Sequence, residues 1–196
     1  AGLTKTSAYL QHNGLPVVEL WGVGIPGTNR MTAAQVAELV NFFKNNPDPK
    51  YRATLIGGMG SFWREGFGDA QPGPEWAQVY RSFDVINPWS VGRYGSNYVV
   101  EAQNYARDVV AGDIAETKRL GIMYLPVVWP GFTWTNLMRN RGQESMRNVI
   151  PRYCGAFYWQ QVVNVLEAGA KQVFIAMFDE VDEGTAMYKM VSKQAD

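Results

Sequence analysis

The chain has 196 residues, with 18 Lys and Arg balancing 18 Asp and Glu, so it carries no net charge at pH 7. This balance leaves no basic field for a phosphate backbone, which argues against nucleic acid as a partner, and the length suits one domain with a sizeable core. A single cysteine, Cys154, excludes an internal disulfide and a cysteine-built zinc site, and no apolar run approaches the roughly 20 residues that span a bilayer, so no membrane partner is expected.

In chain order, the hairpin-like YLQHNGLPVVELWG comes first, with the turn at Gln11-His12-Asn13-Gly14 and a strand over 16–22. MTAAQVAELVNFFKNNP follows as an amphipathic helix: Thr32 and Gln35 form a capping-box pattern, and Val36, Leu39, Val40 and Phe43 share a face. A strand is expected at 53–58, then a short helix entered at Pro74 with Trp76, Val79, Tyr80 and Phe83 on one side, then a strand at 83–89. A long helix over about 99–120 closes at Gly121, a strand covers 123–129, a helix over about 152–168 closes at Gly169, and a last strand covers 172–178.

Each strand run is almost continuously apolar, as parallel strands covered on both faces are. The pattern is β-α four times plus a fifth strand, an α/β fold that fits either an open doubly wound sheet or part of an eight-stranded barrel of about 250 residues. Five units cannot close such a barrel, so on the barrel reading about three β-α units are missing upstream, and 1–196 is a single barrel-type domain incomplete at its N-terminus.

In both architectures ligands bind at the carboxyl ends of the strands. Just past the strands stand Trp21, then Trp63 with Arg64 and Glu65, then Trp89 with Arg93 and Tyr94, then Trp129, Phe132, Trp134 and Asn136. Five of seven tryptophans thus gather at the strand ends. Flat aromatic faces beside polar groups suit a sugar, which has apolar C–H faces and a polar edge.

The last strand runs into FDEVDEGT, where Asp179, Glu180, Asp182 and Glu183 lie within five positions. Like charges this close repel, and each raises the pKa of a neighbour that must remain an acid, as glycoside hydrolysis requires. Glu180 and Glu183, at i and i+3, can point the same way. The competing explanation is a helix over GTAMYKMVSK whose N-terminus the acids favour, with Asp179 or Asp182 as its cap.

Other chemistries find less support. Val181 occupies a ligand position of a calcium loop, so no metal is assigned. His12 is the only histidine and is expected in a hairpin turn rather than a triad. Gly57-Gly58-Met59-Gly60 lacks the lysine of a phosphate loop, and Cys154 is expected to be buried in a helix and inert.

Together PVVELWG, IGGMGSFWRE, DVINPWSVGRY, YLPVVWPGFTWTN, IPRYCGAFYWQQV and AMFDEVDEGTAMYK resemble the glycoside hydrolase clan of families 71 and 99 over nearly the whole chain. The resemblance implies a (β/α)8 barrel, of which these residues would hold about the C-terminal five strands, and activity on α-mannosides or α-glucans. The endo-α-mannosidase branch carries Asn-Glu-Trp-His-Glu-Gly-Thr, against Asp179-Glu180-Val181-Asp182-Glu183-Gly184-Thr185 here. By that similarity Glu180 is the base acting on a sugar 2-hydroxyl and Glu183 the acid/base at the glycosidic oxygen, while Val181 and Asp182 replace an indole and an imidazole.

The expected site therefore comprises Glu180 and Glu183 as catalysts. Trp21, Trp63, Trp89 and Trp134 serve as sugar platforms, with Arg64, Arg93, Asn136, Arg152, Asp179 and Asp182 as polar contacts and no cofactor. The substrate would be an oligosaccharide or polysaccharide. The alternative is a lectin-like protein that holds glycans on the same scaffold without cleaving them. Pairing with a missing N-terminal segment or another chain is a further expectation, and the family resemblance implies a secreted or periplasmic location.

Overall fold

The computed structural model describes residues 2–95, 97–144 and 149–188. It divides into two compact units, one made of 1–89 with 109–126 and the other of 90–108 with 127–196.

In the first unit, β1 (Gln11–His12), β2 (Leu15–Val23), β3 (Thr54–Gly60), β4 (Val85–Trp89) and β5 (Met123–Tyr124) form one sheet in that order. The first pair is the expected antiparallel hairpin, with Gln11 opposite Pro16, and all later pairs are parallel. All seven residues of β3 are buried, as continuous apolar strands predict. Helix α1 (Ala33–Asn45) begins at the predicted capping box, where Gln35 N–H donates to Thr32 Oγ1 at 3.3 Å and Thr32 N–H donates to Gln35 Oε1 at 2.9 Å. Helix α2 (Pro74–Tyr80) buries Trp76, Val79 and Tyr80.

The register divides the sheet into two faces. Trp21 pairs with Gly58 and Gly58 with Asn87, so these three share a face with Glu19, two residues before Trp21. A Cβ at Gly58 would lie 2.7 Å from Trp21 Cδ1 and 2.8 Å from Glu19 Oε1, whereas one at Gly57 would meet the Phe83 ring at 2.8 Å. The Gly57 face is thus the one packed against Phe83, three residues beyond the end of α2.

The expected long helix is continuous over 98–120, as α3 (Tyr98–Tyr105), a π-helical segment (Ala106–Val110) and α4 (Ala111–Leu120). As anticipated, Gly121 closes α4 in the left-handed conformation, φ 70°. The strand expected at 123–129 is also two pieces. Pro126 has no N–H to give to a ladder, and beyond it β6 (Val127–Val128) pairs with β7 (Phe174–Ile175) instead. The strand expected at 172–178 retains only those two residues of β7.

In the second unit, β6 and β7 run parallel, and α6 (Ala156–Glu167) packs Phe157 edge-on to Trp129, centroids 5.1 Å apart, while Tyr94 stacks on the same indole at 5.4 Å. Gln161 of α6 donates to the Trp129 carbonyl at 2.6 Å. Cys154 corrects its expectation: α6 starts only at Ala156, and Tyr153, Cys154 and Gly155 take positive φ in the turn before it, which leaves the thiol exposed. No helix among the described residues is long and apolar enough to cross a membrane.

Candidate active site

The acids of FDEVDEGT fold into a turn. Glu180 Oε1 accepts the backbone N–H of Asp182 at 2.6 Å and that of Glu183 at 3.2 Å, while Ala186 N–H donates to the Glu180 carbonyl at 2.7 Å. These bonds do for an isolated turn what an N-cap does for a helix. No helix follows over Gly184–Tyr188, and the rest of the expected GTAMYKMVSK helix lies outside the described residues.

The turn rests on α5 (Thr135–Asn140), a short helix that the sequence patterns did not reveal. Thr133 N–H donates to the Glu183 carbonyl, Leu137 N–H to the Asp182 carbonyl, Asn136 Nδ2 to the Val181 carbonyl and Asn140 Nδ2 to Asp182 Oδ1, at 2.8–3.1 Å. Arg152 donates to the Gly184 carbonyl at 2.7 Å. Gly184 has φ +68°, and a Cβ there would stand 2.7 Å from Thr133 Cγ2, so both the conformation and the close approach call for glycine.

The two glutamates are therefore unlike. Glu180 is held by main-chain donors, whereas Glu183 is half-buried and its carboxyl is pushed above the usual range by that burial first, then by the charges of Glu180 and Asp182. One carboxyl is oriented as an acceptor and its neighbour is biased toward carrying a proton.

Of the other residues expected here, Asn136, Asp182 and Arg152 meet at the turn, but Asn136 and Arg152 do so through main-chain carbonyls and serve to hold it. Trp134, half-buried at the start of α5, keeps a buried indole N–H without a partner. Asp179 and Arg93 are exposed.

In the first unit, Trp21 is 53% exposed and stands edge-on to Trp89, centroids 5.5 Å apart. Trp63 corrects its expectation as a platform: it is wholly buried, and its indole N–H donates to Asp113 Oδ2 at 3.0 Å, so no ring face is open to a sugar. Arg64 Nε donates to Asp113 Oδ1 at 3.1 Å, and its guanidinium also pairs with Glu65. Tyr124 completes the cluster with a 3.0 Å bond to Asp113, whose carboxyl burial drives up to about 7 against the pull of these three donors.

Solved structures align with almost all of this chain. The GH99 endo-α-mannosidase from Bacteroides thetaiotaomicron superposes with a TM-score of 0.64 at 19% identity, over 96% of this chain and 49% of that one. Its complex with bis-tris-propane gives the same score and identity over 52% of that chain, and a glycoside hydrolase-like protein gives 0.57 at 16% over 49%. The fold of this chain is shared with about half of each of these proteins. This chain spans about half the length of those it matches. No family model and no curated protein sequence matches it. The likeness to the families 71 and 99 clan thus stands at the level of fold.

Three further residues matter in this fold, and little in the sequence points to them. Asp113 was hidden inside a helix pattern, Asn140 in an unrecognised helix, and Glu19 in an apolar strand run, where a lone acid is the one available signal. A cavity of about 860 Å³ lies by α1 and α2 and is lined by Ala33, Ala37, Val40 and Val79, but it contains none of the expected site residues. Among the described residues no group of three or more His, Cys, Asp or Glu is placed to hold a metal ion.

Proposed function

We propose that the chain carries the acid–base machinery of a glycoside hydrolase acting on an α-linked glycan, with Glu180 as base and Glu183 as acid. The supporting observation is the asymmetry of the pair: Glu180 accepts two main-chain N–H groups, while Glu183 is driven toward its protonated form by burial and two neighbouring negative charges. Two carboxyls with opposite protonation are what glycosidic cleavage needs.

Glu183 gives its proton to the glycosidic oxygen as the bond to the anomeric carbon breaks. Glu180 takes a proton from the sugar 2-hydroxyl, whose oxygen closes on the anomeric carbon in the neighbouring-group route that the motif's similarity implies. Water then opens that ring with the two residues in reversed roles, and the configuration is retained. The α-mannoside or α-glucan substrate rests on the motif and on the glycoside hydrolases that share the fold, neighbours that do not favour a lectin.

The test is turnover of α-mannan and α-1,3-glucan oligosaccharides by Glu180→Gln and Glu183→Gln. Each is expected to lose about 10²–10⁴-fold, the usual yield of a positioned acid or base. Unchanged hydrolysis in both variants sinks the assignment, and wild-type binding with no turnover on any of these glycans turns the reading to the lectin.

A further inference from the structure

Helix α6 carries a partly inverted pattern. The side it turns to the core holds the polar Gln161 and Asn164 beside Phe157 and Val165, while Trp159, Val163 and Leu166 on the other side are 63%, 45% and 49% exposed. With the exposed Ala156 they stand at intervals of 3, 4 and 3 residues, the a and d spacing along which two helices pack in a seam. Single exposed apolar side chains are ordinary, but a stripe in register is the mark of a covered face. The apolar surface also extends beyond one helix. Tyr98 of α3 stands edge-on to Phe157, centroids 5.7 Å apart, and the next two residues, Val99 and Val100, are exposed.

Charge, size and polarity along the stripe all suit the same stripe running the other way. No charged residue lies between Arg152 and Glu167, so two such surfaces meet without repulsion, and a charged peptide or lipid finds nothing there to pair with. An antiparallel pairing centred midway between Trp159 and Val163 sets Ala156 opposite the partner's Leu166 and Trp159 opposite the partner's Val163, small against large at each layer. It also brings Glu167 to the partner's α6 N-terminus, where the helix dipole is positive and Arg152 lies just upstream. A parallel pairing would instead set Glu167 against its own copy.

We propose that α6 is a homodimer interface, its exposed stripe packing antiparallel on the same stripe of a second copy. The contact is self-complementary, as a two-fold interface must be. From Ala156 to Leu166 the seam runs only about 15 Å, and it buries less than the roughly 800 Å² per partner of a standard interface, so the dimer is weak, with a Kd of about 10–100 μM. The inference goes beyond the hydrolase reading and does not depend on it.

Sedimentation velocity of the full chain from about 5 to 200 μM tests it, a range that brackets the expected Kd. Wild type is expected to pass from the mass of one chain to that of two. Val163→Glu sets like charges on both sides of the two-fold and is expected to remain one chain throughout, with an unchanged melting temperature because residue 163 is exposed. Should Val163→Glu fail to fold, Leu166→Lys replaces it, with the same expected loss. Cys154, exposed just before α6, reads the orientation. Antiparallel pairing holds the two thiols about 20 Å apart, far beyond the roughly 7 Å between Cα atoms that a disulfide spans, so mild oxidation is expected to leave the dimer unlinked.

A wild type that stays one chain at every concentration overturns the proposal, as does a dimer that persists in a folded variant. A disulfide-linked dimer that Val163→Glu abolishes overturns the antiparallel arrangement, since only parallel helices bring the two Cys154 thiols side by side.

Discussion

Asp113 in the first unit and Glu183 in the second are both carboxyls pushed toward the protonated form by burial, and they differ in everything else. Asp113 is wholly buried and takes three donors, from Trp63, Arg64 and Tyr124. Glu183 is half-buried, its side chain accepts no hydrogen bond from the described residues, and its neighbours are two further acids. A raised pKa by itself therefore does not mark chemistry. The accompanying donors separate a carboxyl that ties a core together from one that accepts no hydrogen bond from the described residues.

The contrast breaks most visibly at Asp113. Asp113→Ala strands a buried indole N–H, a phenol and a guanidinium, and is expected to cost the first unit about 3–5 kcal/mol in denaturant unfolding. The pH profile carries the same signature. A carboxyl raised from 3.8 to about 7 binds its proton more tightly folded than unfolded, so its contribution is full below pH 3.8 and is lost as pH climbs through about 7. That decline should vanish in the variant. A loss under about 1 kcal/mol would place Asp113 beside Glu183 rather than opposite it.

A smaller effect is expected at Gly184. Alanine there takes on a left-handed backbone and a 2.7 Å contact with Thr133 Cγ2, costing about 1–3 kcal/mol, and the displaced turn should lower turnover more than substrate affinity. Thermal melts and steady-state kinetics on the same preparation check both halves, and an active, equally stable Gly184→Ala would mean that the turn's geometry is not needed.

Asp182→Asn is the finest probe. It removes one of the two charges that raise Glu183 while leaving an acceptor for Asn140, so the alkaline limb of the pH–rate profile should move toward acid. The movement is small because burial remains the main cause. A limb that does not move would assign it to another group.

Elements whose signal is local were legible in the sequence: the capping box of α1, the proline entry to α2, the hairpin at Asn13-Gly14 and the closing glycine of α4. Strand extents were less so, because apolar content cannot tell a paired residue from one that merely follows a strand, and Pro126 was the overlooked break in 123–129. At the candidate site the four acids announced themselves by crowding, but the surroundings that set their states did not. Burial of Trp63 against Asp113 spans 50 positions, and the support of Asp182 by Asn140 spans 42, distances over which no sequence period carries information.

Glu180 bears on inheritance as well as on mechanism. Its Oε1 fastens the N–H groups of Asp182 and Glu183, so the side chain proposed as base also shapes the loop that presents the acid. On the proposed function, a mutation that shortens Glu180 removes the base and unfastens the loop that presents Glu183, and restoring Glu180 alone recovers both. On that same reading, descendants should lose activity in one step rather than by gradual decline, and a silent copy can keep an intact Glu183 after the chemistry has gone.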